Sequence, residues 1–302
     1  MTVVIGAGMA GLLAASMLRK ECDGVVERQP NLPNNHSAVL RFRNTSVGDV
    51  LNIPFRAVEV MKAVHPWRNP IADALAYSRK TNGSMALRSI VSANGSISTR
   101  YIAPPDFIDK MKGCIQCDIV FGKTINREAL SSYGGPVIST MPMPNMMEIL
   151  GWKPVEEFRS SPGTNIIMEI EGLDAYCSLY VPMPDFPGSR ISITGSEVVV
   201  ECRGAFAEQA KDIALGAAFL LGIPDSLIKS IDAREQRYAK ILPYNDKDRK
   251  DFIVWASETH SVYSLGRFAT WRPGLLMDDV VEDVRVIHRL ISGGSSYSYK
   301  KG

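Results

Sequence analysis

Val3-Val4-Ile5-Gly6-Ala7-Gly8-Met9-Ala10-Gly11 opens the chain, and Leu12 to Leu18, then Gly24-Val25-Val26-Glu27, complete the unit it begins. Three β-branched residues in a row read as a buried strand. The glycines follow at once, in the spacing G-x-G-x-x-G. Leu12 to Leu18 has helix-forming composition, and Arg19 and Lys20 suit a helix C-terminus. A second short strand then closes on an acid. Each part has a physical job. Gly6 permits the tight turn, Gly8 lets the backbone approach a diphosphate, and Gly11 lets the helix lie close to the strand. The N-terminus of the helix that follows offers unpaired N–H groups and a positive dipole end to the phosphates. Glu27 sits near the offset of ~20 residues at which a carboxylate holds a ribose hydroxyl, with Arg28 beside it. An acid there disfavours a 2′-phosphate, so NADP is not expected. The plainer reading is a glycine turn that only packs a helix on a sheet.

The 302 residues leave room for one large domain or two interleaved ones. Hydrophobic residues make up 45% and charged residues 22%, which excludes general disorder. A balance of 34 Lys+Arg against 32 Asp+Glu, net +2, excludes a histone-like binder. Five cysteines fit a reducing cytoplasm better than a disulfide-stapled scaffold. The apolar run Ile213 to Ile223 is about half the ~20 residues of a membrane span, so no membrane is expected as partner. Thr2 to Leu18 is uncharged but has no basic start, so it reads as fold rather than as a secretory leader.

Two later blocks extend the opening unit. Pro136-Val137-Ile138-Ser139-Thr140-Met141-Pro142-Met143-Pro144 is a strand running into a proline-rich crossover. Ser261 to Ser264, Gly266-Arg267-Phe268-Ala269-Thr270-Trp271-Arg272-Pro273-Gly274 and the run from Leu275 read as strand, glycine turn, aromatic-basic loop and helix. Val280, Val284 and Ile287 share one face of that helix. These three blocks together resemble the FAD-binding domain of glutathione-reductase-type flavoproteins. Gly266 to Asp278 is similar to the closing motif of UDP-galactopyranose mutases and amine-oxidase relatives. Ile241-Leu242-Pro243-Tyr244 and the charged run Asp246 to Asp251 follow the mutase order. Asn34-Asn35-His36-Ser37 stand where those families carry a glycine-rich loop over the flavin.

The resemblance implies an α/β fold: a glutathione-reductase-type, FAD-binding, Rossmann-like domain with an inserted, mainly antiparallel β-sheet substrate domain. It implies FAD at Gly6, Gly8, Met9, Ala10, Gly11, Glu27, Arg28, Gly266, Arg267, Met277 and Asp278. The expected FAD domain is 1–45, 111–149 and 236–302, and the substrate domain 46–110 and 150–235. Short runs at Ile166 to Glu171, Tyr176 to Val181, Arg190 to Thr194 and Glu197 to Cys202 read as the strands of that insert. Ala93-Asn94-Gly95 between β-rich runs reads as a hairpin. Phe206, Ala210, Ile213, Ala217 and Leu220 follow helical spacing and end at Gly222.

Residues 41–100 are rich in Arg and Lys, with His65, Trp67 and Tyr77 interleaved. Arg41, Arg43, His65 and Arg68, with Trp271 and Arg272, are candidates to hold an anionic substrate, DNA carrying a modified base among them. A solvated basic face remains the alternative. Cys114-x-x-Cys117 lacks the second pair or histidines that zinc needs, so no metal is expected and packing is the better reading. No catalytic residue is fixed by the sequence, because the flavin carries the chemistry; His36 is the one candidate.

The expectation is an amine-oxidase-like FAD oxidoreductase that oxidises, and can cleave, a C–N bond. Leu40-Arg41-Phe42-Arg43, Ile53-Pro54-Phe55-Arg56, Trp67-Arg68-Asn69-Pro70 and Tyr101-Ile102-Ala103-Pro104-Pro105 are similar to segments of small bacteriophage flavoproteins. Some of those are FAD-dependent lyases of thymidine hypermodification, which trim an amino-acid-modified thymine to an aminomethyl base. A phage-encoded chain of that kind would work in the host cytoplasm. A redox-neutral sugar-nucleotide mutase and a non-catalytic nucleotide-binding protein are the alternatives.

Overall fold

The computed structural model describes residues 1–32, 39–83, 85 and 95–293. Among these the chain runs β1 (Thr2–Ile5), α1 (Met9–Leu18), β2 (Cys22–Val26), β3 (Arg41–Phe42), α2 (Ser46–Leu51), β4 (Arg56–Val64), α3 (Pro70–Asn82), β5 (Ser96–Ile102), α4 (Phe107–Gly113) and β6 (Ile119–Val120). It continues through α5 (Arg127–Ser131), β7 (Val137–Ser139), α6 (Met143–Leu150), β8 (Ser160–Ile170), β9 (Ala175–Tyr180), β10 (Gly188–Gly195) and β11 (Glu197–Arg203). It ends with α7 (Ala210–Leu221), β12 (Ile228–Ile241), α8 (Asp246–His260), β13 (Val262–Ser264) and α9 (Met277–Ser292).

The short β-branched strands form a five-stranded sheet, β13-β7-β1-β2-β6, in which every pair is parallel. A parallel sheet must be covered on both faces. Leu12, Leu13, Phe107, Met111, Val280 and Val284, from α1, α4 and α9, form one core against it. Met143, Met146, Phe252 and Ala256, from α6 and α8, form the other. The longer, alternating strands form an eight-stranded sheet, β12-β8-β11-β10-β9-β4-β5-β3. It is antiparallel except where β4 runs parallel to β9. The α/β architecture with a mainly antiparallel second sheet is the one expected.

Sheet pairing and core packing run across the sequence divisions. β3 belongs to the eight-stranded sheet, although residues 1–45 were assigned to the first domain. Residues of α2 and α4 pack with α1 and α9, although 46–110 were assigned to the insert. β12 runs unbroken through the expected boundary at 235. Ladder pairing and core packing over long sequence separations decide these joins, and local composition does not report them. The expected hairpin at Ala93-Asn94-Gly95 rests largely on residues outside those described, as does the chain beyond 293.

Alternation gives the second sheet two unlike faces. Ile191 and Ile193 of β10, Val198 and Val200 of β11, and Ile166 and Met168 of β8 pack on Ile213, Ala214 and Ala217 of α7. α7 then stops at Gly222, whose φ is +68°. Helix α3 docks through Lys80, whose Nζ donates to the carbonyls of Val181, Met183 and Gly188 at 3.1, 2.8 and 2.7 Å. That seats Tyr77 edge-on to Tyr180, with 5.5 Å between ring centroids.

At the margin of the parallel sheet, Cys117 Sγ lies 3.3 Å from Cys22 Sγ, and Cys114 Sγ donates to Leu51 O at 3.5 Å. Burial and the neighbouring Cys117 push the Cys22 thiol up to about 12. Only the thiolate alkylates. Cys22 is therefore expected to stay unlabelled by iodoacetamide at pH 8 in the native protein and to label after unfolding, as read by peptide mass spectrometry. Labelling in the native state would contradict its buried environment.

Candidate active-site cleft

β1 ends at Ile5, and the chain turns through Gly6 at φ +94° before α1 begins. A Cβ on Gly6 would lie 2.1 Å from Thr140 Oγ1, and one on Gly11 would lie 1.8 Å from the Gly6 carbonyl oxygen. Protein therefore fills both positions. Gly8 differs: it is exposed, and a Cβ there would meet nothing within 4 Å. No side chain caps α1, so the N–H groups of its first turn at Met9 and Ala10 lack that partner. The turn presents what a diphosphate requires: close backbone approach at Gly8 and free donors behind it.

Glu27 stands just past β2. Its Oε2 accepts from Ala7 N–H at 2.7 Å and its Oε1 from Gln29 N–H at 2.8 Å. The acid thus clamps the glycine turn from the side. Arg28 is exposed one residue further on.

A second turn arrives from the far end of the sequence. Gly266, at φ +89°, follows β13, and a Cβ on it would lie 3.0 Å from Ala10 Cβ. The two glycine turns are in contact. Helix α9 packs along α1, and Met277 joins their shared core. Asp278 is buried, and its Oδ1 accepts from the N–H groups of Arg43 and Asn44 at 2.9 and 3.2 Å. Asp279 accepts from the Arg43 guanidinium and, at 3.0 Å, from Leu276 N–H. The carboxylates at the start of α9 therefore tie residues 43–44 to the helix.

The polar face of the eight-stranded sheet meets the Gly266 turn. Tyr180, Arg190 and Glu201 pair across β9, β10 and β11 as one lateral row. Arg190 donates to Glu201 through Nη2. Arg41 lies across the same face and donates to Thr194 Oγ1 at 3.0 Å, to Ser178 Oγ at 3.1 Å and to Cys177 O at 2.9 Å. Burial pulls its guanidinium down to about 10, still protonated near neutrality. Arg267 reaches over from the turn, with Nη2 3.4 Å from Ala239 O, and Lys240 follows on β12. Burial lowers the pKa values of Lys62, Lys240 and Arg267, and the facing cations push the same way. For Lys62 those cations are Arg100, Arg190 and Arg41; for Lys240 they are Arg267, Arg190 and Arg203. Glu201 is the carboxylate that opposes them at Arg41, Lys240 and Arg267. Cations this crowded repel one another, and an anion placed among them relieves that repulsion.

The structure gives several of the expected substrate residues partners of their own. Arg43 is paired with Asp278 and Asp279, and Arg41 is bonded into the sheet. The Arg68 guanidinium lies 4.3 Å from the Trp67 ring centroid. His65 N–H donates to Tyr180 O at 2.8 Å, and its Nδ1 is buried without a partner. Trp271 is fully buried between Phe158 and Phe268, at φ +50°, with no face open to a base. Arg272 is paired with Asp283. Among the described residues of 41–100, Arg41, Arg43 and Arg68 are thus each engaged by neighbouring groups. His36 lies outside the described residues. Sequence reasoning missed Arg190, Glu201, Lys240 and Tyr180 as site residues. The alternation Arg190-Ile191-Ser192-Ile193-Thr194 was the available signal, since one face of that strand is polar and carries a charge.

No family model matches the sequence, and no curated protein does. Solved structures match the fold. A reduced UDP-galactopyranose mutase superposes with a TM-score of 0.68 at 13% identity, covering 98% of this chain and 94% of that one. An oxidoreductase from Methanosarcina mazei gives 0.58 at 14%, covering 95% and 99%. The glycerol-3-phosphate dehydrogenase of Bacillus halodurans, complexed with FAD, gives 0.55 at 11%, covering 97% and 64%. At these identities the likeness establishes the fold. Among the described residues, no helix is long and apolar enough to cross a membrane.

The glycines make separable claims. Gly11→Ala is expected to destabilise the protein by about 1–3 kcal/mol in urea unfolding, through backbone overlap with Gly6. Gly8→Ala should cost under about 1 kcal/mol, the loss of a preferred N-cap residue. Equal losses would contradict the difference in space around them.

Proposed function

We propose that the protein is an FAD-dependent oxidoreductase that oxidises the C–N bond of an anionic amine. One observation carries this reading: the uncapped, acid-clamped Gly6–Gly11 turn touches the Gly266 turn, from which Arg267 reaches the cation-rich polar face of the eight-stranded sheet. FAD is favoured over NAD because the neighbour complexed with FAD superposes over 97% of this chain. Gly8 and the first-turn amides of α1 would hold the diphosphate, Glu27 a ribose hydroxyl, and the Gly266 turn the chain leading to the flavin. The flavin, when bound, supplies acceptance of a hydride from the C–H beside a neutral amine. The cleft residues bind and orient. Arg190, Lys240 and Arg267 hold the anionic part of the substrate. Their combined field disfavours a protonated amine nearby, which keeps its nitrogen lone pair available. The imine left on the substrate takes up water and separates into carbonyl and amine.

The finer form of this proposal is a lyase that trims an amino-acid-modified thymine in DNA to an aminomethyl base. The surplus of cations in the cleft and the sequence segments similar to phage flavoproteins support it. A redox-neutral mutase is the second reading, favoured by the extent of the likeness to the UDP-galactopyranose mutase.

The test is a visible spectrum of the purified protein, then anaerobic titration with amines and with amino-acid-modified DNA. Flavin bands that bleach, with glyoxylate released from the modified DNA, are the expected outcome. Activity only after chemical reduction of the flavin would favour the mutase. Flavin that never turns over would leave a nucleotide-binding protein. Colourless protein that refuses added FAD would end the proposal. Gly8→Val should weaken FAD retention at least about tenfold, or about 1.4 kcal/mol, by filling the space the diphosphate needs.

A further inference from the structure

The Arg190–Glu201 pair has an odd construction for a structural ion pair. It lies on the polar face of the eight-stranded sheet, and its side chains keep 34% and 31% of their surface accessible. Arg190 Nη2 meets Glu201 Oε1, while Arg190 Nε is buried with no partner. Arg267 Nε, facing the same row, is likewise buried and unpartnered. Two guanidinium edges thus keep a buried donor unsatisfied, and a ligand oxygen would remove that penalty. Tyr77 and Tyr180 also face Arg190, as do the cations Arg41, Lys62, Lys240 and Arg267.

We infer that Glu201 is an internal stand-in for the substrate's anion: it holds Arg190 when the cleft is free of substrate, and a phosphoryl group displaces it. This rests on the anionic-substrate reading above. A tethered carboxylate competes at the high effective concentration of an intramolecular group. A single free carboxylate gains nothing over it and is rejected. A phosphoryl group offers more charge and three acceptor oxygens, enough to engage Arg190, Arg267 and Lys240 together. Glu201 then swings into the accessible part of the cleft, already solvated in part. Selectivity comes from the competing acid as much as from the attracting bases.

The experiment is isothermal calorimetry on protein saturated with FAD, which closes the diphosphate cradle at Gly8 to the probes. The probes are inorganic pyrophosphate, inorganic phosphate, acetate and a short single-stranded oligonucleotide, so that free phosphates and phosphodiesters are told apart. Glu201→Gln is expected to bind pyrophosphate at least tenfold more tightly than the wild type and to begin binding acetate. Lys240→Met should weaken pyrophosphate at least tenfold in either background, which locates the heat in the cleft whether or not FAD is retained. Glu201→Ala should show the same gain if the Gln variant misfolds. Pyrophosphate binding that is equal or weaker without Glu201 would overturn the stand-in role. Absence of any anion binding in both wild type and variants would overturn the anionic cleft itself, a separate outcome from failure to hold flavin.

Discussion

The architecture depends on one close approach. Helix α1 lies so near β1 that Gly11 has the Gly6 carbonyl where a Cβ would stand. That contact aims the first turn of α1 at the space before Gly8. It also leaves room for the Gly266 turn to rest on Ala10. Residues separated by most of the chain thereby share a single cradle, and α9 follows α1 because both cover the same face of the parallel sheet.

The second sheet solves a different problem. One face is apolar and is buried by α7, at roughly 1.5–3 kcal/mol for each large side chain removed from water. The other is polar and does not join that core. Its charges are tolerated because Arg190 and Glu201 stay partly exposed, and because neutral acceptors and Glu201 partly offset the cations. Arg41 illustrates the balance: its guanidinium is bonded to hydroxyls and carbonyls of β9 and β10, with no carboxylate in ion-pair contact among the described residues. It fastens β3 to the sheet while contributing positive potential to the floor. The cation surplus is thus part of how the sheet is held together, and it leaves the cleft biased toward anions.

The start of α9 shows how an obvious motif can serve a neighbour. Asp278 and Asp279 sit where acids favour a helix N-terminus, but their oxygens also organise residues 43 and 44. Trp271 and Arg272, in the same closing segment, turn inward or pair with Asp283. The segment is a brace between the sheets, and Arg267 is the residue in it that reaches the cleft.

Most strands, the glycine turns and the helices α1, α7 and α9 were legible in the sequence, because each is set by local spacing: β-branched runs, G-x-G-x-x-G, and apolar residues at helical intervals; β3, β4 and the long, charge-rich β12 were not. The acid at the end of β2 was legible for the same reason. The cleft was not. Arg43 looked available because it lies in a stretch rich in Arg and Lys, yet its partners, Asp278 and Asp279, are more than 230 residues away and meet it only in three dimensions. Tyr180, Arg190 and Glu201 become one row only through the register of three strands. Local order determined what each segment is; the tertiary fold decided which charges meet, because strand register and helix docking set distances that a linear spacing does not contain.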